Sequence, residues 1–404
     1  VGAGSANHPG DHLPAQVQGP VLAPAPEFAL VCDPASPEVL YLPSVTGRRR
    51  SGAPLRAPAV GDFGGRSVRT ADGRLRVVYV TEETTVGGGH RDVFEHITRL
   101  RARGHEVSLF SLDGQPGWFD LEVEVRRFAD WAGLTAALAP VDAIKIATWW
   151  RSAMPVWRAS RERGLPVYFV QDVETSYYPG HPQAQARVLD TYRSEFRYMT
   201  ISGYNQRDLA ALGLQARLVA PGIDLQTFRP LGGERREDML LAVGRGNPLK
   251  NLDLTIDAWK ALGPSRPEMV LFGIEPELGP RHGARYVLAP SDEGVNELFN
   301  QATIFLQTSR HEGFALPPLE AMASGAAVIC TDAHGNRDFC RDGENCLMPE
   351  ATVDAVRGAI ELLLHDPELR ERLGRAGVVT AQDYAWERRI DELETFLGQV
   401  ADST

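Results

Sequence analysis

The chain has 404 residues, 43% apolar and 24% charged, the make-up of an ordinary globular protein and longer than one hydrophobic core usually serves. Its net charge of −11 arises mainly after residue 232, which excludes a broad nucleic-acid-binding face there and leaves any anionic ligand to local cations. No apolar run approaches the length of a transmembrane helix, and the first residues lack the charged start and apolar core of a secretory leader.

Ten of the 28 prolines fall in residues 1–60, so residues 1–74 read as a Pro-rich extension, partly extended or disordered. Within it, Glu27 to Leu42 is apolar enough to lie along a domain surface, and Arg48 to Arg50 form a short basic run. Order is expected from about residue 75. The segment LRVVYV (75–80) has the short, β-branched character of a buried parallel strand. A Gly-rich loop, a helical pattern with Val93, Ile97 and Leu100 on one face, and EVSLF (106–110) complete a βαβ unit. AIKIAT (143–148), PVYFV (166–170), RYMTIS (197–202) and ARLVAP (216–221) continue the strands. LGGERRED (231–238) reads as a linker. The alternation restarts with MLLAV (239–243), a helix near 251–262, MVLFG (269–273), ARYVL (284–288), a helix near 292–301, IFLQT (304–308) and AVIC (327–330). An amphipathic helix opens at Trp386. This order predicts two α/β domains, 75–232 and 233–385, with residues 386–404 crossing back to the first.

Three stretches carry chemistry. In HEGFALPPLEAM (311–322), Glu312 falls in a loop and Glu320 in the early part of a helix whose first turn holds Pro317 and Pro318. Both carboxylates can then face one pocket above a strand's carboxyl end, beside a helix N-terminus suited to phosphate. In VGRGNPLKNLDLTIDAW (243–259), Arg245 lies in a Gly-rich turn and Lys250 at the start of the next helix, two cations able to clamp a diphosphate. In TEETTVGGGHRDVFEHI (81–97), Gly87, Gly88 and Gly89 permit close backbone approach by a ligand, without the dinucleotide spacing. Taken singly, each of these also reads as ordinary surface charge or a flexible connector.

Together they resemble the family-4 retaining glycosyltransferases of GT-B fold, from about residue 75 to 400. The marks are the Gly-rich loop with RGHEV after it, ISGYNQRDLAALGLQARLVAPGIDLQTFRP (201–230), VGRGNPLKN, the Glu312/Glu320 pair and TDAHGNRDFCRDGENCLMPE (331–350). The resemblance implies two Rossmann-like, doubly wound domains facing a central cleft. It implies that Arg245 and Lys250 grip the donor diphosphate, that Glu312 touches the transferred sugar, and that Glu320 holds the ribose. Gly313, Phe314, Ala315 and Leu316 would meet sugar and phosphate through their backbone, with the Gly87–Gly89 loop facing them from the other domain. The donor would be a dTDP-, UDP- or GDP-sugar, and the acceptor a glycan or a lipid-linked glycan, with peripheral membrane contact open. No resident cofactor or metal is implied, and the chain has no Asp-x-Asp triad. The same resemblance implies a cytoplasmic enzyme, with the membrane's inner face open to it in view of such acceptors.

Many members carry a histidine where this chain has Gln171 and Asp172, and Asp172 can orient a substrate hydroxyl or cap the following turn. QDVET–YYP, with TWWRSAMPVW (148–157) before it, is similar to a WsaF-like group of bacterial rhamnosyltransferases. That narrower similarity implies dTDP-rhamnose as donor in cell-surface polysaccharide biosynthesis. His90, His311 and His334 adjoin the motifs, and Trp149, Trp150, Tyr177 and Tyr178 offer rings for sugar stacking or for core packing. Cys32, Cys330, Cys340 and Cys346 include no Cys-x-x-Cys pair or zinc spacing and read as reduced thiols. The rival readings are a nucleotide-sugar epimerase or hydrolase and a catalytically silent glycan-binding protein.

Overall fold

A computed structural model describes residues 29–32, 39–42 and 67–403. Strands β1 (Ala29–Cys32) and β2 (Val39–Leu42) form an antiparallel pair within the Pro-rich segment, and the remainder of residues 1–66 lies outside the described residues. Order begins earlier than residue 75: Val68 is buried, and Arg69 bridges to Leu75.

Residues 67–403 belong to one compact unit built on two parallel sheets. The first lobe runs β3 (Arg76–Thr81), α1 (Gly88–Ala102), β4 (Glu106–Ser111), β5 (Val125–Arg127), α2 (Trp131–Leu138), β6 (Ile144–Ala147), α3 (Trp150–Ser160), β7 (Leu165–Val170), α4 (Pro182–Leu189), β8 (Arg197–Thr200), α5 (Gly203–Ala211) and β9 (Ala216–Leu218). Its strand order is β5-β4-β3-β6-β7-β8-β9. Every residue of β7 is buried, as helices on both faces of a parallel sheet require. The chain reverses between β3's two neighbours, and such a switch point opens a crevice at the strands' carboxyl ends.

The second lobe runs β10 (Met239–Val243), α6 (Leu252–Lys260), β11 (Glu268–Gly273), α7 (Leu278–His282), β12 (Arg285–Leu288), α8 (Asp292–Gln301), β13 (Ile304–Gln307), α9 (Leu316–Ala323), β14 (Ala327–Cys330), α10 (Val353–His365) and α11 (Pro367–Gln382). Its order is β12-β11-β10-β13-β14, with the switch at β10. Side-chain caps start three of its helices: Ser291 accepts from the Gly294 amide, Thr352 from Ala355 and Asp366 from Leu369. α6, α7 and α9 lack one; the first turn of α9 contains two prolines, and its cap residue, Ala315, has no polar side chain to offer.

The last helix, α12 (Trp386–Asp402), packs on the first lobe against α1 and β6. Trp386 meets His96 edge-on at 6.0 Å and lies 5.1 Å from the Arg99 guanidinium. Arg103 reaches Asp391 at 2.5 Å and Glu394 at 2.8 Å. A Cβ on Gly222 would meet the Trp386 ring at 2.4 Å, so glycine is needed where the chain passes beneath this helix. One apolar core therefore runs unbroken from Val68 through Phe339 to Ala401, joining both sheets.

Candidate active site

The two lobes meet at the carboxyl ends of their strands, and the contacts there are specific. From the first lobe, Arg91 in the first turn of α1 makes a two-pronged bond to Asp292 in the first turn of α8, at 2.5 and 2.8 Å. Asp172, just past β7, accepts from His311 Nε2 at 2.8 Å. The Gly203 amide at the start of α5 donates to Asp338 at 2.8 Å. A Cβ on Gly313 would stand 2.3 Å from the Gln171 carbonyl, so only glycine lets the lobes approach this closely.

Glu312 is 9% exposed. Its Oε1 and Oε2 each accept from Lys250 Nζ at 2.7 Å, and Oε1 also accepts from Ser309 Oγ at 2.7 Å and Gln307 Nε2 at 3.1 Å. Four hydrogen bonds from three donors fix the carboxylate, and the ammonium supplies the charge that makes a buried carboxylate tolerable. Lys250 ends a short 3₁₀ turn, Pro248–Lys250, and does not lie in the following helix as the sequence suggested. The next residue, Asn251, is left-handed (φ 51°). Arg245 turns toward Glu275, 3.7 Å away, so the two cations occupy the end of one strand without sharing a partner.

Glu320 stands on α9 in an open cleft of about 390 Å³, lined also by Arg91, Asp92, Asp224, Asp292 and Leu316. Burial raises its carboxyl to about 7, against the opposing pull of Arg91. Lys250, Glu312 and Arg245 do not line this cleft. The expected convergence is thus partial: Lys250 with Glu312, and Glu320 with Leu316.

Between these groups lie two helix starts. α1 begins at Gly87 and α9 at Ala315, both without a side-chain cap. A Cβ on Gly88 would lie 3.9 Å from Leu316 Cδ1, and one on Gly89 would lie 2.7 Å from Gln171 Oε1, so the glycine loop faces α9 across the lobes. Among the described residues, the amides of Gly313, Phe314, Ala315 and Leu316 have no acceptor, although Phe314 and Ala315 are buried. Buried amides without partners are rare in a finished fold. Pro317 and Pro318 donate nothing, so the free amides belong to the loop before α9 and to its first residue. Of the four non-glycine residues with positive φ, Asn251, Ala315 and His334 adjoin this region, where strain commonly marks function.

His311 carried only a weak signal in the sequence, next to a glutamate. In the fold it bridges the lobes. Its Nδ1 is 3.0 Å from His334 Nδ1, and the His334 ring stacks on Tyr204 at 4.6 Å. Burial alone would lower the His311 pKa, but the hydrogen bond and charge of Asp172 hold it above the usual value. Asp172 therefore holds a histidine, with Ser176 Oγ 3.3 Å away, and does not cap the turn through a backbone amide. Trp149 and Tyr177 lie 5.7 Å apart, with Tyr177 exposed, while Trp150 donates to the Tyr178 hydroxyl at 3.2 Å. His90 bonds the Thr85 carbonyl within its own loop. Arg91 and Asp292 went unremarked in the sequence, since ion pairs far apart in the chain have no local signature.

Two Rossmann-like lobes closed over a cleft of this kind define the GT-B fold. The chain is similar in structure to HepE from Anabaena, solved with UDP and glucose: TM-score 0.69, 14% identity, 80% of this chain and 99% of that one. Residues 226–378, which span most of the second lobe, match the family model for glycosyl transferases group 1. The O-antigen biosynthesis protein RfbC of Myxococcus xanthus is 29% identical over 76% of this chain and 26% of its own length. A D-inositol 3-phosphate glycosyltransferase of Frankia alni is 32% identical over 42% of this chain and 49% of its own length. The chain thus spans half or less of these two relatives. No helix among the described residues is long and apolar enough to cross a membrane.

Proposed function

We propose that the chain is a retaining glycosyltransferase that moves a hexose or deoxyhexose from a nucleoside-diphosphate donor to a growing glycan. The observation that carries this is the pair of uncapped helix starts facing each other across the lobes, with four unpartnered amides at one of them. Helix N-termini attract phosphate through free amides and the positive end of the dipole. Lys250 and Arg245 add positive charge beside them, which stabilises the departing diphosphate as its charge develops. Glu312, fixed by four hydrogen bonds from three donors, is set to bind hydroxyls of the transferred sugar, and Glu320 those of the ribose.

In this reading the second lobe binds the donor and the first binds the acceptor. Closure excludes water and limits hydrolysis of the donor. The C–O bond to the leaving phosphate breaks to an oxocarbenium-like sugar. The acceptor oxygen attacks the same face, and the departing phosphate oxygen takes its proton. Trp149 and Tyr177 offer the acceptor a stacking surface. For the donor we favour dTDP-rhamnose, on the QDVET–YYP similarity. For the acceptor we favour a surface polysaccharide, lipid-linked at a membrane face, on the similarity to an O-antigen biosynthesis protein. The test is a panel of nucleotide sugars with oligosaccharide acceptors, the product's anomeric configuration being read by NMR. Transfer with retention supports the reading, and isomerised donor without acceptor points to an epimerase.

A further inference from the structure

Cys330 closes β14, Cys340 follows the 3₁₀ turn Gly335–Asp338, and Cys346 follows the next loop. Their spacing in the sequence fits no metal motif, yet the fold gathers all three. Their sulfurs lie within 4.8 Å of one another, and all three residues are buried. Cys330 Sγ and Cys340 Sγ are 3.4 Å apart. We propose that these thiols form a binding site for one soft, thiophilic cation of the Zn²⁺ or Cu⁺ class, beneath the loop that carries His334.

The dimensions suit such an ion. Metal–sulfur bonds of about 2.3 Å place three sulfurs around one cation roughly 4 Å apart, and soft thiolate ligands select these metals. The surroundings suit thiolates. Asn336 Nδ2 stands 3.5 Å from Cys330 Sγ, the kind of outer donor that supports a ligand. The Arg341 guanidinium lies close by, donating to the Cys340 carbonyl at 2.9 Å. Binding of a divalent ion displaces the protons of whichever thiols are still protonated, up to three, and gives a trithiolate complex of charge −1.

The site reaches toward the cleft. Asn336, beside Cys330, also bonds the Thr331 carbonyl and the Ala333 amide. Asp338, two residues before Cys340, accepts from the first lobe at Gly203. A bound cation would therefore tie down residues 331–340, which hold His334 against His311. This inference does not depend on the sugar-transfer reading.

The test uses the full chain carrying C32S, reduced and then freed of reductant, so that the remaining thiols are those of the cluster. Titration with Co²⁺ should give a thiolate-to-cobalt charge-transfer band saturating at one ion per chain. Cd²⁺ should displace the Co²⁺ and, added instead to the metal-free chain, should release protons and protect the thiols from a disulfide-forming reagent. C340S and C346S should each weaken Cd²⁺ binding at least tenfold. No band and no protection at millimolar metal in the folded chain would overturn the proposal. So would ready formation of a Cys330–Cys340 disulfide in a chain that takes up no metal. Protection and proton release are read on unsubstituted cluster cysteines, so misfolding of a variant does not blunt the test.

Discussion

Asp172 and His311 lie 139 positions apart and on different lobes, yet the carboxylate holds the imidazole at 2.8 Å, with Asp172 buried and His311 partly so. The end of β7 carries Gln171 and Asp172, and the fold brings a histidine to them from the opposite lobe. His311 in turn touches His334, and Tyr204 lies edge-on to its ring at 5.9 Å. Asp208 and Glu312 add negative charge around it. The first lobe thus holds the loop bearing Glu312 by a bond that depends on protonation.

Because the His311 pKa is raised in the closed form, the pair's stabilisation is fully present below the unfolded value and is lost as pH rises through the folded one. The closed form should loosen on the alkaline side, and small-angle scattering across pH would show the radius of gyration rising. D172N should remove that pH dependence and open the chain at neutral pH, since breaking a buried pair costs about 3–5 kcal/mol.

Lys250→Ala leaves the Glu312 carboxylate buried beside only its neutral donors. We expect kcat/KM for transfer to fall at least 100-fold, about 2.7 kcal/mol, with far-ultraviolet dichroism unchanged. Lys250→Arg should recover part of the loss, because charge is restored and geometry is not.

Gly313→Ala places a methyl 2.3 Å from the Gln171 carbonyl, where only movement of a lobe can relieve the clash. Overpacking of this kind costs about 1–3 kcal/mol. The variant should stay folded, open as seen by scattering, and lose most activity through kcat.

Burial raises the Glu320 and Glu174 carboxyls to about 7, Glu174 against the opposing hydrogen bonds of Tyr192 and Tyr168. Both folded values lie above the unfolded ones, so each group costs stability as pH rises from about 4.5 toward 7. His96, lowered by burial to about 3, acts the other way as pH falls below 6.5. The contribution of Glu174 is therefore read by difference. E174Q should flatten the fall in Tm between pH 5 and pH 7.5, by about 1–3 kcal/mol in stability.

Much of the fold was legible from local pattern. The buried strands at 75–80, 166–170 and 239–243 are short apolar runs, and the structure places β3, β7 and β10 over them to within a residue. The three-residue β5, with two of its side chains exposed, carries too little pattern to read. The site was legible where it is local: Glu312 in a loop, Glu320 on the early helix. It was not legible where distant chain segments meet. Arg91 with Asp292, Asp172 with His311, and the three thiols are products of closure, and nothing in their spacing announces them. Arg245 shows the converse, since motif position suggested a shared clamp and the side chain reaches Glu275.

The central claim is that a nucleoside diphosphate sits between the starts of α1 and α9, gripped by Lys250. Calorimetric titration of dTDP, UDP, GDP and ADP into the wild-type chain and Lys250→Ala tests it directly. The account predicts that one nucleotide binds preferentially and that the substitution weakens it at least tenfold. Failure of all four to bind at millimolar concentration, or equal affinity in the variant, would contradict it.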